Sequence, residues 1–297
     1  MPPLGWSQGS QVLPSLIPLD RLWKRDGQPT ASNRTIVRSK PRTGSESRAR
    51  LALFGSLVFL PALASGPNRP ADAINPLELS AAMREWSRSA FATGGDELEG
   101  LRHLLGLLTE GGSAAIREIP GPTPTAAEAF ASRQADCVGF ALLFVALGRA
   151  ADLEVEFVLS TVVERIDDDG TLRIRRSHLA AVHGDRVFDL GGEWPFDPAL
   201  HRRVSDRTAT AIFLSNRGAQ SLAAGRLHDA IEVLWRALRF DPSLSWVWTN
   251  LGVALRRAGD STGAVLAHEM ALRLDPADSA ARRNLDVALT APRRRAE

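Results

Sequence analysis

The chain has 297 residues, 44% hydrophobic and 24% charged, a balance that is typical of globular proteins and argues against a membrane-embedded or wholly disordered chain. The formal net charge is only +2, and arginines are scattered among acids, so we expect no nucleic-acid partner. The single cysteine, Cys137, excludes an intrachain disulfide and a thiolate metal cluster.

The N-terminal segment differs in composition from the rest of the chain. Residues 1–47 are rich in Pro, Ser, Arg and Gly, so we expect them to be disordered or to be a misassigned extension. Residues 48–64, RARLALFGSLVFLPALA, have the basic start, apolar run and small-residue site of a signal peptide, and the run is too short for a stable membrane span. This pattern predicts a secreted or periplasmic protein. If the segment is instead a buried helix or a surface anchor, the protein is cytoplasmic.

Residues 70–204 change from helical to strand periodicity partway along. Helical patterns run over 75–91, 96–110, 125–133 and 138–151, with a linker, GPTPT, at 121–125. Strand patterns follow, EVEFVLSTVVERI, TLRIR, HLAAV and RVFDL, with a DDDG turn at 167–170. Helices followed by antiparallel strands predict an α+β domain.

Residues 211–290 repeat with a period of 34 residues, in units 211–244 and 245–278 and a partial unit 279–290. Five positions agree between the full units: Gly218 and Gly252, Gly225 and Gly259, Ala230 and Ala264, Ala237 and Ala271, Asp241-Pro242 and Asp275-Pro276. Small residues allow close helix approach and Pro ends a helix, so we expect paired helices. The second unit, NLGVALRRAGDSTGAVLAHEMALRLDP, resembles a tetratricopeptide repeat, which implies a groove for a protein partner. The first departs from that pattern at Arg217 and Ser221.

Cys137 opens the apolar helix pattern that follows a polar segment. Asp136 is a good N-cap, so Cys137 is expected in the first helical turn, where the positive helix end favours a thiolate and backbone amides can hold an oxyanion. The alternative is a small residue packed in a core.

A nucleophilic thiol needs a base and a group that orients the base, and SHLAAVHGDRVFDLGG offers both. A hairpin around Gly184-Asp185 would place Asp189 opposite Ala180 and diagonal to His178, about 7 to 8 Å away between Cα atoms. His178 could otherwise be a solvated strand-end residue, and Asp189 a turn acid.

A cysteine opening C-x-x-F-A-x-L-x-x-x-L-x-R-A, followed by a sheet with His and then Asp, resembles the transglutaminase-like superfamily over residues 125–192. The resemblance implies a papain-like fold with Cys137 as nucleophile, His178 as base and Asp189 as its orienting group. The whole chain is also similar to bacterial proteins that join such a domain to C-terminal tetratricopeptide repeats.

Two functional classes follow. In the first, Cys137 attacks a carboxamide or peptide carbonyl and the acyl group passes to water or to an amine; the superfamily favours hydrolysis. The substrate is then a protein or peptide, and no cofactor or metal is expected. In the second, a catalytically inactive α+β domain serves with the repeats as a protein-interaction adaptor.

Overall fold

A computed structural model describes residues 74–91, 96–109, 111–119, 121–166 and 173–290. The predicted N-terminal extension, the predicted signal segment at 48–64 and the predicted DDDG turn lie outside the described residues. The described residues from Asn75 onward belong to one compact unit. Within the part of the chain that the structure describes, no helix has both the length and the apolar character needed to cross a bilayer.

Among the described residues, four helices precede the main sheet, and each begins after a residue whose side chain accepts a backbone N–H one turn ahead. The capping residues are Ser80, Asp96, Thr125 and Asp136. The helices are α1 (Ala81–Ala90), α2 (Glu97–Leu108), α3 (Ala126–Ser132) and α4 (Cys137–Ala150). Two short parallel strands, β1 (Arg117–Glu118) and β2 (Gln134–Ala135), pair beside the start of α4.

The main sheet has five antiparallel strands in the order β6-β5-β4-β3-β7. Its strands are β3 (Glu156–Ile166), β4 (Arg173–His183), β5 (Arg186–Asp189), β6 (Gly192–Pro195) and β7 (His201–Val204). Helices followed by an antiparallel sheet confirm the predicted α+β class. The sequence suggests TLRIR and HLAAV as separate strands, but HLAAV and the described part of TLRIR, residues 173–175, belong to the single long strand β4, because both pair with β3.

Helix α4 lies at the centre of the core. Every residue from Cys137 to Gly148 is buried, and the Phe144 ring stacks on Phe188 of β5 at 5.4 Å between centroids. Phe157 and Leu179 of the sheet belong to this main core. On the sheet a second, smaller apolar cluster is packed against Trp194 and Phe196, and it consists of Val158, Ala180, Val182 and Val187. Burial around the whole helix explains why its sequence is apolar on every side.

Up to residue 290, the last that the structure describes, five helices follow the sheet: α5 (Asp206–Ala223), α6 (Leu227–Phe240), α7 (Ser245–Arg257), α8 (Ser261–Leu274) and α9 (Ser279–Thr290). Helices α6 and α8 have equal length and start 34 residues apart, as the sequence period predicts. Gly218 and Gly252 lie at the helix crossings, where an added Cβ would come within 2.7 Å of Leu234 and 2.5 Å of His268. Helix α5 begins ahead of the predicted repeat start at 211, and it also packs on α4.

Candidate active site

The N-terminus of α4 places Cys137 in the first helical turn. The Asp136 carboxylate accepts the Gly139 N–H at 2.8 Å, and the Asp136 carbonyl accepts the Phe140 N–H at 2.9 Å. These bonds fix the start of the helix one residue before the cysteine. Cys137 is buried, at 7% exposure, next to the positive end of the helix, which favours a negative charge there.

The β4–β5 hairpin brings the other two predicted residues together. It turns at Gly184-Asp185, and the pairs Ala181–Phe188 and His183–Arg186 give the register predicted from the sequence. Asp189 is the last residue of β5 and follows Phe188, which pairs with Ala181, so the register places Asp189 diagonal to His178. His178 Nε2 is 2.9 Å from Asp189 Oδ2.

The Asp189 carboxylate is held on both oxygens. Its Oδ1 accepts the Leu190 backbone N–H at 2.6 Å, while Oδ2 faces His178. The Asp189 side chain is 10% exposed and the His178 side chain 25% exposed, so the pair is largely shielded from solvent. A carboxylate fixed in this way orients the imidazole and stabilises its protonated form.

His178 also hydrogen-bonds Cys137, which completes the three-residue contact. Burial alone lowers the pKa of His178, but the hydrogen bonds with Asp189 and Cys137 outweigh it and raise the pKa to about 10. Since Nε2 faces Asp189, Nδ1 is the ring nitrogen left for the thiol. The arrangement therefore favours the protonated imidazole of His178, placed between the Cys137 thiol and the Asp189 carboxylate.

Three side chains near this triad, those of Ser160, His201 and Glu118, are not among the site residues that the sequence predicts. His178 pairs across the sheet with Ser160 of β3, which pairs in turn with His201 of β7, and the buried Ser160 hydroxyl makes no hydrogen bond within the described part of the chain. Glu118 of β1 has a pKa raised by burial and by the nearby Asp189.

The pKa of His201 is shifted in the opposite direction from that of His178. Burial lowers its pKa, and the positive charge of His178 adds to the effect although Asp197 opposes it. Its Nδ1 accepts the Asp197 backbone N–H at 2.7 Å, so that nitrogen carries no proton. Only the pairing of β7 with β3 brings His201 here, and the sequence carries no local signal for that pairing.

The described residues contain no group of three or more His, Cys, Asp and Glu side chains suited to hold a metal ion. No protein-family model matches this sequence, and no curated protein matches it.

Proposed function

We propose that the protein is a cysteine-dependent acyl hydrolase or acyltransferase of the transglutaminase-like kind. The observation that carries the proposal is the position of His178, which hydrogen-bonds Cys137 and faces Asp189 at 2.9 Å. Cys137 would be the nucleophile, His178 the acid–base group and Asp189 the residue that orients it.

The reaction runs in two halves. The proton of the Cys137 thiol starts on His178, and the sulfur attacks a carboxamide or peptide carbonyl while the amides of the first turn of α4 stabilise the oxyanion. The imidazolium then protonates the leaving amine, which leaves a thioester on Cys137. In the second half His178 takes a proton from the acceptor, which attacks the thioester carbonyl; the C–S bond then breaks, which releases the acyl product and returns the sulfur to its starting state beside protonated His178. Water as acceptor gives hydrolysis, which we favour, and an amine gives acyl transfer.

We further propose a protein or peptide substrate and a protein-binding role for the helix pairs α5–α8, as in tetratricopeptide repeats. The equal offset of α6 and α8 and the close crossings at Gly218 and Gly252 support this. Export to the periplasm or outside the cell would follow from the predicted signal at 48–64.

The experiment is alkylation of the intact protein by iodoacetamide as a function of pH. Because Cys137 is the only cysteine, a single adduct reports on it alone. We expect alkylation at about pH 6 to be at least tenfold faster than that of a model thiol, since a positively charged His178 and the N-terminus of α4 both stabilise negative charge on the sulfur.

His178→Gln is expected to abolish that acid-range reactivity. His183→Gln is the matched control, because His183 lies on the same strand but contacts the Glu154 carbonyl. A wild-type rate that follows pH as a model thiol does would contradict the proposal.

The alternative, a catalytically inactive adaptor, is favoured by exposed apolar side chains on the C-terminal helices: Trp235, Leu266 and Leu289, with Leu266 and Leu289 more than 60% exposed. Such side chains can contact a protein partner. If this alternative holds, cells that carry Cys137→Ala would behave like wild type, whereas cells in which residues 245–297 are deleted would behave like cells that lack the protein. The enzyme proposal expects both changes to have the effect of losing the protein.

A further inference from the structure

Helix α5 holds the segment 121–125, which the sequence suggests is only a linker. The Gln220 side-chain amide donates to the Gly121 carbonyl at 2.7 Å and accepts the Thr123 N–H at 3.3 Å. Arg217 Nε donates to the Thr123 carbonyl at 3.0 Å. The segment is therefore fixed through its backbone by one face of α5.

The Thr123 side chain carries this contact onward to the start of α4. Its hydroxyl is fully buried, accepts Asn216 Nδ2 at 3.3 Å and donates to Asp136 Oδ2. The other Asp136 oxygen caps the helix by accepting the Gly139 N–H. The capping carboxylate is thus held on one side by its own helix and on the other by Thr123.

Packing at the same point is equally close. A Cβ on Gly139 would lie 2.5 Å from Pro124 Cγ, so the segment rests directly on the first turn of α4. Burial raises the pKa of Asp136, and the Thr123 and Gly139 hydrogen bonds partly offset this, so they help to keep the cap ionised.

We propose that the α5 side chains that hold Thr123, namely Asn216, Arg217 and Gln220, are positioning residues for the nucleophile. Acting through Thr123 and Asp136, they fix the first turn of α4 and so the approach of Cys137 to His178. The inference rests on the proposed function, because it concerns the geometry of that thiol–imidazole contact. A small displacement of the reacting atoms is enough to slow a proton transfer or an attack.

The test uses Thr123→Val in the full chain, which keeps the shape of the side chain and removes the hydroxyl. We expect the alkylation rate at about pH 6 to fall roughly tenfold to a hundredfold relative to wild type. Thr123→Ser restores the hydroxyl and is expected to restore the rate. Gln220→Ala, a change on α5, is also expected to lower the alkylation rate at about pH 6.

Arg226→Ala is the matched control. The Arg226 side chain pairs with Asp229 and donates to the Ser221 hydroxyl, and neither residue contributes to the contacts described above for segment 121–125. Circular dichroism verifies that each variant is folded.

The outcomes separate the two proposals. If wild type reacts no faster than a model thiol, the proposed function fails and this inference fails with it. If wild type reacts rapidly at acid pH and folded Thr123→Val shows the same alkylation rate at each pH, only the inference is overturned. A lower melting temperature of Thr123→Val would not change that conclusion. If Thr123→Val does not fold, an unchanged profile in Gln220→Ala overturns it.

Discussion

At the scale of single residues, the proposed catalytic role of Cys137 depends on the protonation state of His178. A cysteine that is merely packed needs no charged neighbour, whereas this one hydrogen-bonds an imidazole whose pKa is about 10. The raised pKa of His178 depends on Asp189, which supplies both a hydrogen bond and a negative charge.

Replacing Asp189 by Asn is therefore expected to lower the pKa of His178 by about one unit or more, because a neutral amide stabilises the imidazolium less. The ring C–H resonances of His178, followed by NMR against pH, measure the shift directly. Asp185→Asn, in the exposed hairpin turn of the same strand pair, is the control and should leave the titration unchanged. An unshifted His178 in Asp189→Asn would disprove the proposed orienting role.

A second histidine, His268 of α8, has the opposite environment. It is fully buried against Gly252, and neither ring nitrogen has a hydrogen-bond partner within the described residues. Burial and the nearby Arg256 lower its pKa to about 4, against a partial opposing effect of Asp278. The folded protein therefore keeps this ring neutral, while the unfolded chain protonates it near pH 6.5.

Because the folded-state pKa is the lower one, the unfolding free energy should fall as pH drops from about 6.5 to 4, by up to about 3 kcal/mol from this residue. His268→Leu is expected to reduce this pH dependence, measured by urea unfolding at a series of pH values. His228→Gln, at an exposed site on α6, should leave it unchanged. Equal slopes in wild type and His268→Leu would contradict the assignment.

At the scale of helices and strands, the glycines of the helix pairs have a steric role. Gly218 faces Leu234 so closely that an added methyl would lie 2.7 Å from its Cγ, whereas Gly106, in the interior of α2, has open space around it. The same substitution is therefore expected to have opposite effects at the two positions.

Gly218→Ala should lower the unfolding free energy by about 1 to 3 kcal/mol, because the crossing of α5 and α6 must widen. Gly106→Ala should raise it by about 0.5 to 1 kcal/mol, because alanine restricts the unfolded chain and favours helix. Chemical unfolding of the two variants measures both. If Gly218→Ala proved as stable as Gly106→Ala, the close crossing would be excluded.

The sequence predicts elements well where the signal is local. The Gly184-Asp185 turn sets the β4–β5 register, and the caps and apolar periods locate α2, α3 and α4. The short strands β1, β2, β6 and β7 were not predicted, because each has only two to four residues and β7 pairs with a strand far away in sequence. Residues that reach the site through such pairings, including Glu118 and His201, therefore could not be found from the sequence.

At the scale of the whole molecule, several contacts join the C-terminal helices to the α+β domain. Arg149 of α4 forms a two-bond ion pair with Asp206 of α5, at 2.7 and 3.0 Å. Arg217 reaches Glu128, the capping-box residue of α3, at 2.6 Å. The departure of Arg217 from the repeat pattern thus has a structural reason, since this position faces the domain rather than another repeat.

We expect the two parts to unfold together. Helix content, followed by far-ultraviolet circular dichroism, reports mainly on the C-terminal helices, and pulsed alkylation of Cys137 in urea reports on α4. The two transitions should coincide, because α5 packs both on α4 and on α6. Separate midpoints would show that the parts are independent. Arg149→Ala is expected to move the midpoints apart, because it removes the ion pair with Asp206.

The attachment of α5 also limits how this array can change in length. Arrays of helix pairs lengthen by duplication of a unit, and each new unit needs exposed faces on its neighbours. One face of α5 is already occupied by α4 and by segment 121–125. Additional units can therefore be accommodated after α9 or between existing pairs, whereas a unit inserted ahead of α5 would separate the array from the helix that carries the thiol.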